Sequence, residues 1–138
     1  MSISSVMGRF EGIGYTALRI VAGFLFSVHG MQKIFGWLST KAGPEVGSQL
    51  WFEGLIELVC GVLVAVGLFT RGAAFLASGT MAVAYCQYHW KFAFADWKWL
   101  PSVNGGELAV VYCFVFLYIA AKGTGRAGLD GILFRRRE

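Results

Sequence analysis

Apolar residues fall in four long runs, and the polar residues among them are few and grouped. The runs cover residues 13–35, 51–69, 73–88 and 107–121. A membrane-crossing helix takes about 20 mostly apolar residues, with a range of about 17–25. The first two runs meet that length. The last two reach it by borrowing Gly, His and Trp residues at their ends. Continuous runs do not fit a β-barrel, whose strands of about ten residues alternate apolar and polar positions. The pattern predicts an all-α integral membrane bundle of four transmembrane helices. It forms a single domain over residues 1–138 with a basic tail from 122 to 138.

The links between the runs are unequal. A tight turn around Thr70, Arg71 and Gly72 is predicted between the second and third, while 36–50 and 89–106 form longer loops. The second of these loops carries Trp90, Phe92, Phe94, Trp97 and Trp99. Aromatic residues at this density beside a span read as an interfacial belt. The loop is predicted to lie on the membrane surface or to cover the end of the bundle. With four crossings, both termini share a side with Arg9, Arg71, Lys122, Arg126, Arg135, Arg136 and Arg137. Lys33, Lys41, Lys91 and Lys98 fall on the other. Positive charge marks the cytoplasmic face, so both termini are expected in the cytoplasm.

Composition narrows the class. Of 138 residues, 57% are hydrophobic and 14% are charged, against about 25% charged in a soluble domain. That excludes a water-soluble enzyme, and it excludes disorder, which needs low hydrophobicity and high charge. The net charge of +4 is concentrated in the tail, where it suits anionic lipid. The basic residues of the tail are not interleaved with stacking aromatics and no nucleic-acid motif is present, so no nucleic-acid partner is expected. Cys60, Cys86 and Cys113 lie scattered in apolar runs and form no disulfide framework. The N-terminal segment lacks the pattern of a cleavable signal and is expected to remain.

The informative residues are the polar ones inside the runs, because each charge at mid-bilayer costs about 2.5–3.5 kcal/mol on insertion scales. Arg19, His29, Gln32 and Lys33 lie in the first run, Glu53 and Glu57 in the second, Gln87 and His89 at the end of the third, and Glu107 at the start of the fourth. Alternating direction brings all but Arg19 to one level near the non-cytoplasmic face. Helical spacing groups them into stripes: Arg19, Ala22, Phe26, His29, Lys33; then Glu53, Glu57, Cys60; then Ser78, Ala82, Tyr85, His89. If the stripes face inward, Lys33 meets a glutamate and His29 meets Glu57 or His89. His29, Lys33, Glu53, Glu57, His89 and Glu107 then line a polar pocket roofed by the aromatic loop. The competing reading is snorkelling at the helix ends for Lys33, Glu53, Gln87, His89 and Glu107, and inter-helix pairing as mere glue for His29 and Glu57. Asp130 is the carboxylate nearest Arg19.

Metal chemistry is not expected. Two histidines are a thin basis for haem, and the Glu-x-x-His spacing of a di-iron bundle is missing. No serine has the context of a nucleophile. Gly123-Thr124-Gly125-Arg126-Ala127-Gly128 matches a dinucleotide fingerprint in spacing, but it follows a membrane helix and not a strand, so it reads as a helix stop and turn.

The run Leu18-Arg19-Ile20-Val21-Ala22-Gly23-Phe24-Leu25-Phe26-Ser27-Val28-His29-Gly30-Met31-Gln32-Lys33-Ile34-Phe35-Gly36 resembles the opening signature of the DoxX family of small bacterial membrane proteins. Glu57, Gly61, Gly67-Leu68-Phe69-Thr70-Arg71, Asn104-Gly105-Gly106-Glu107 and the segment from Gly123 to Asp130 extend the likeness. The resemblance implies four transmembrane helices in the bacterial cytoplasmic membrane and links to quinone-dependent redox physiology. It carries over Arg19, His29, Lys33, Glu57, Glu107, Arg126 and Asp130 as signature residues without catalytic roles; Arg71 joins Arg19, Arg126 and Asp130 in a structural set. The loop 90–100 is richer in Trp than the family pattern and suggests a docking surface for other membrane subunits. The expected function is an accessory subunit of a quinone-linked redox complex, with quinone as the possible ligand and no covalently bound cofactor. An autonomous quinone-binding redox or detoxification protein is the first alternative, and a small proton-coupled transporter the second.

Overall fold

The computed structural model describes residues 3–134, the Arg9 side chain excepted. Arg135, Arg136 and Arg137 of the basic tail lie outside the described residues. Six α-helices follow in order: α1 (Ile3–Phe35), α2 (Gln49–Val66), α3 (Thr70–Ala84), α4 (Pro101–Asn104), α5 (Glu107–Lys122) and α6 (Leu129–Leu133). A π-turn, Tyr85–Trp90, prolongs α3, and a 3-10 turn, Ala95–Trp97, interrupts the aromatic loop. No strand occurs among the described residues.

The helix ends have local causes. α1 reaches back to Ile3, ten residues before the apolar run, since no proline stops it and each added residue gains a hydrogen bond. Ser48 caps α2 by accepting from the Trp51 N–H at 3.3 Å. Gly67 (φ 73°) ends it in the left-handed conformation, and Leu68 N–H returns to Leu63 O at 2.9 Å. The chain therefore turns at Gly67, Leu68 and Phe69. Thr70, Arg71 and Gly72, predicted as the turn, already form the first turn of α3. Pro101 opens α4 at the position where a missing N–H costs nothing.

The helices pack as two tight pairs. Gly23, Ser27 and Gly30 of α1 face Gly54, Gly61 and Ala65 of α2. A Cβ added to Gly23 would stand 2.5 Å from Ala65 N and 2.7 Å from Gly61 O. The two backbones touch, as small residues allow in membranes. α3 presents buried Ala73, Ala74, Ala77, Ser78, Met81 and Ala84 to the large residues Tyr112, Phe116 and Ile119 of α5. Ala82, predicted to face inward, is exposed. The inward face of α3 runs one position away, through Met81 and Ala84. Between the pairs sits a ring cluster: Phe26 meets Phe116 at 4.6 Å and Tyr112 at 5.4 Å.

The outer surface is apolar. Phe24, Phe52, Val62, Phe75, Val111 and Phe114 all point outward. Exposed patches of this extent are not tolerated in water. Two segments, Phe10–Phe35 and Gln49–Val66, are long and apolar enough to cross a membrane. α3 and α5, at 15 and 16 residues, are shorter.

Candidate functional site

The polar residues predicted to gather near one end of the bundle do so around Lys33. Glu53 and Glu57, four residues apart, project from the same side of α2 toward α1. Lys33 Nζ donates to Glu53 Oε1 at 3.0 Å and to Glu57 Oε1 at 2.9 Å. Gly54 makes room for this. A Cβ there would stand 2.7 Å from Lys33 Cβ. Both glutamates are buried, Glu57 to 3% exposure, and among the described residues Glu57 Oε2 has no hydrogen-bond partner. Lys33 is half-buried, with 29% of its side chain exposed.

A cavity of about 370 Å³ opens beside this triad. Its polar lining is His29, Lys33, Glu53, Glu57, Tyr88 and His89, with Tyr112 at its inner wall. Phe26, Leu50, Met81 and Leu108 supply apolar walls. His29 packs edge-on against Tyr112 at 6.2 Å. His89 stacks on Tyr85, and its Nδ1 lies 3.4 Å from Asn104 O. Glu57 pairs with Lys33 and not with a histidine. The cavity thus gathers the acceptor Glu57 Oε2, two imidazoles and two phenols in apolar surroundings. No group of three or more His, Cys, Asp or Glu residues close enough to hold a metal ion occurs among the described residues.

Two expectations are corrected here. Glu107 does not line the cavity. It opens α5 with its side chain exposed, while the inward side of that first turn belongs to Ala109 and Tyr112. The tryptophans of the aromatic loop do not line the cavity either; from 89–106 only His89 and Gly105 reach it. Trp90 instead packs on Phe92 at 5.0 Å and Phe94 at 5.3 Å, and Trp97 and Trp99 point outward. Tyr88 and Tyr112 were missed as lining residues. The signal for Tyr112 was its place on the apolar stripe Ala109, Tyr112, Phe116, Ile119.

The remaining signature residues tie the opposite end. Arg19 is buried to 1% exposure. Its guanidinium donates to Val64 O at 2.5 Å, to Ala65 O at 2.8 Å and to Ala127 O. It thus joins α1, the end of α2 and the segment after α5, and it makes no ion pair with Asp130. The Asp130 carboxylate accepts from Phe69 N–H at 2.6 Å and Thr70 N–H at 2.9 Å, capping α3 across the turn. Burial pushes the pKa of this carboxyl up, but the two N–H bonds and the nearby Arg19 charge outweigh it and hold it below the ordinary aspartate value. Arg71 donates to the final carbonyls of α5 at Ala120, Ala121 and Lys122. Arg126 lies along α1 at Gly12. Thr124 Oγ1 donates to Gly67 O at 3.1 Å, and Tyr15 Oη donates to Gly123 O. The glycine-rich segment is therefore a knot that fastens helix ends.

An all-helical bundle with an apolar exterior and a buried ion triad defines a helical membrane protein with an internal polar cavity. The sequence profile of the DoxX family matches residues 14–90. An uncharacterized protein of Haemophilus influenzae is 39% identical over 122 residues, covering 86% of this chain and 90% of its own length. The chain belongs to the DoxX family. A Bacillus subtilis protein named "Putative oxidoreductase CatD" is 26% identical over 136 residues, covering 96% of each chain. No solved structure matches the chain significantly.

Proposed function

We propose that this protein crosses a bacterial cytoplasmic membrane four times, with both termini in the cytoplasm, and serves as an accessory subunit of a quinone-linked redox complex. Its cavity, near the periplasmic face, receives the quinone ring. The observation that carries this reading is the apolar-walled cavity of about 370 Å³ into which His29, Tyr88, His89 and Tyr112 bring groups able to donate to the ring's oxygens. The oxidoreductase name of the Bacillus subtilis relative supports a redox setting. The outward Trp97 and Trp99 support contact with other membrane subunits through the loop 90–100.

The test is purification from native membranes in mild detergent, followed by quinone titration. Haem-, flavin- or iron–sulfur-bearing subunits are expected to accompany the protein, and quinone binding is expected to weaken in His29→Ala. A protein that purifies alone, with no quinone binding, refutes the proposal. A protein that purifies alone yet binds quinone supports instead an autonomous redox or detoxification role, which the name of the same relative also favours.

A further inference from the structure

A second hollow lies on the outer face of the bundle. It is a groove of about 410 Å³ between α2 and α3, walled by Phe52, Ile56, Phe75, Leu76 and Val83 and open to the side. Glu53 and Ala84 line both the groove and the polar cavity. The two hollows thus share a wall made of one carboxylate and one methyl group. Gly79 also lines the groove, and a Cβ added there meets nothing within 4 Å. On the cavity side, Glu57 Oε2 is an acceptor that no donor among the described residues reaches. A quinone ring offers only acceptor oxygens, whereas a quinol offers hydroxyl donors.

We infer that the cavity takes a membrane-dissolved quinol bearing an apolar tail, which enters sideways between α2 and α3, its hydroxyl donating to Glu57 Oε2 and its tail lying in the groove. This rests on the proposed quinone-linked function and specifies the redox form and the route. Lipid is as apolar as the groove, so tail burial adds little affinity by itself. The groove matters through shape: a tail can lie in it while the ring passes Glu53 and Ala84. Filling it is therefore the decisive perturbation.

The experiment measures equilibrium binding to the full chain in lipid nanodiscs, kept anaerobic, with affinities expressed per mole fraction of ligand in the bilayer. The probes are a decyl benzoquinol, the matching decyl benzoquinone and a tailless benzoquinol. The tailed quinol is expected to bind at least about fivefold tighter than the tailed quinone, the worth of one hydrogen bond. Gly79→Leu is expected to weaken the tailed quinol by at least about fivefold, the scale of a steric conflict, and to leave the tailless quinol unchanged. Gly14→Leu, on an exposed face of α1 where a Cβ also meets nothing, should change neither. Equal binding of quinol and quinone overturns the inference, as does a tailed quinol indifferent to Gly79→Leu. If Glu57→Gln leaves the tailed quinol unchanged, the inference alone fails; if no probe binds, the proposed function itself fails and takes this inference with it.

Discussion

Replacing Lys33 with methionine tests the ion triad most directly. The side chain keeps most of its length and loses its charge. In the native protein one ammonium serves two carboxylates, at 3.0 Å and 2.9 Å. Without it, Glu53 and Glu57 face each other four residues apart on one helix, with 10% and 4% of their side chains exposed. Removing one partner of a buried pair costs about 3–5 kcal/mol, because the other charge stays buried without compensation. Lys33 itself is 29% exposed, so the lower end, about 3 kcal/mol, is expected here. The neutral variant Lys33→Met/Glu53→Gln/Glu57→Gln removes all three charges together and should lie within about 1–2 kcal/mol of the native protein, since buried pairs replaced as a set are often nearly neutral. Unfolding in mixed dodecyl maltoside and SDS micelles, followed by far-ultraviolet circular dichroism, reads both values. A loss below about 1 kcal/mol in Lys33→Met, the scale of a surface pair, refutes the reasoning. So does a neutral triple variant that is no more stable than Lys33→Met.

Two further outcomes follow from the helix contacts. Gly23→Ala should destabilise by about 1–3 kcal/mol through overpacking against Ala65 and Gly61, although alanine gains about 1 kcal/mol in helix propensity; Gly14→Ala, with open space at its Cβ, should be neutral or stabilising in the same unfolding assay, and equal effects at the two sites would contradict the seam. The Asp130 carboxyl binds its proton less tightly in the folded chain than in the unfolded one, so its contribution is present above the ordinary aspartate value of about 3.9 and is lost as pH falls through the lower folded value. Asp130→Asn keeps one acceptor oxygen and loses one of the two backbone bonds, so it should cost about 1 kcal/mol at pH 7 and flatten the fall in stability below about pH 4; an unchanged acid limb would show that the carboxylate does not hold the turn.

The two parts of the fold differ in how readable they were. The stripe from Arg19 to Lys33 is legible because a long uninterrupted helix keeps its period, and Lys33 does reach Glu53 and Glu57. The stripe on α3 failed at Ala82, because alanine-rich helices give no contrast between faces and the neighbouring Met81 faces inward instead. Glu107 misled for a related reason. A residue in the first turn of a helix is placed by the angle at which the chain enters, here set by Gly105 (φ 73°) and Gly106, and not by its distance along a stripe. The turn between α2 and α3 was misplaced because Asp130, sixty residues away, caps α3 and lets it begin at Thr70.

By itself the sequence determined an apolar, helical chain, the level at which its charges gather, and the chemistry available there. Those properties follow from composition and from the period of a helix, which are local. Only the tertiary structure decided which charges meet, which carboxylate oxygen remains without a donor, and where the cavity opens. These depend on how far α1 turns and how closely it approaches α2, and that is set by glycines whose lack of a side chain lets Lys33 cross Gly54 and touch both glutamates.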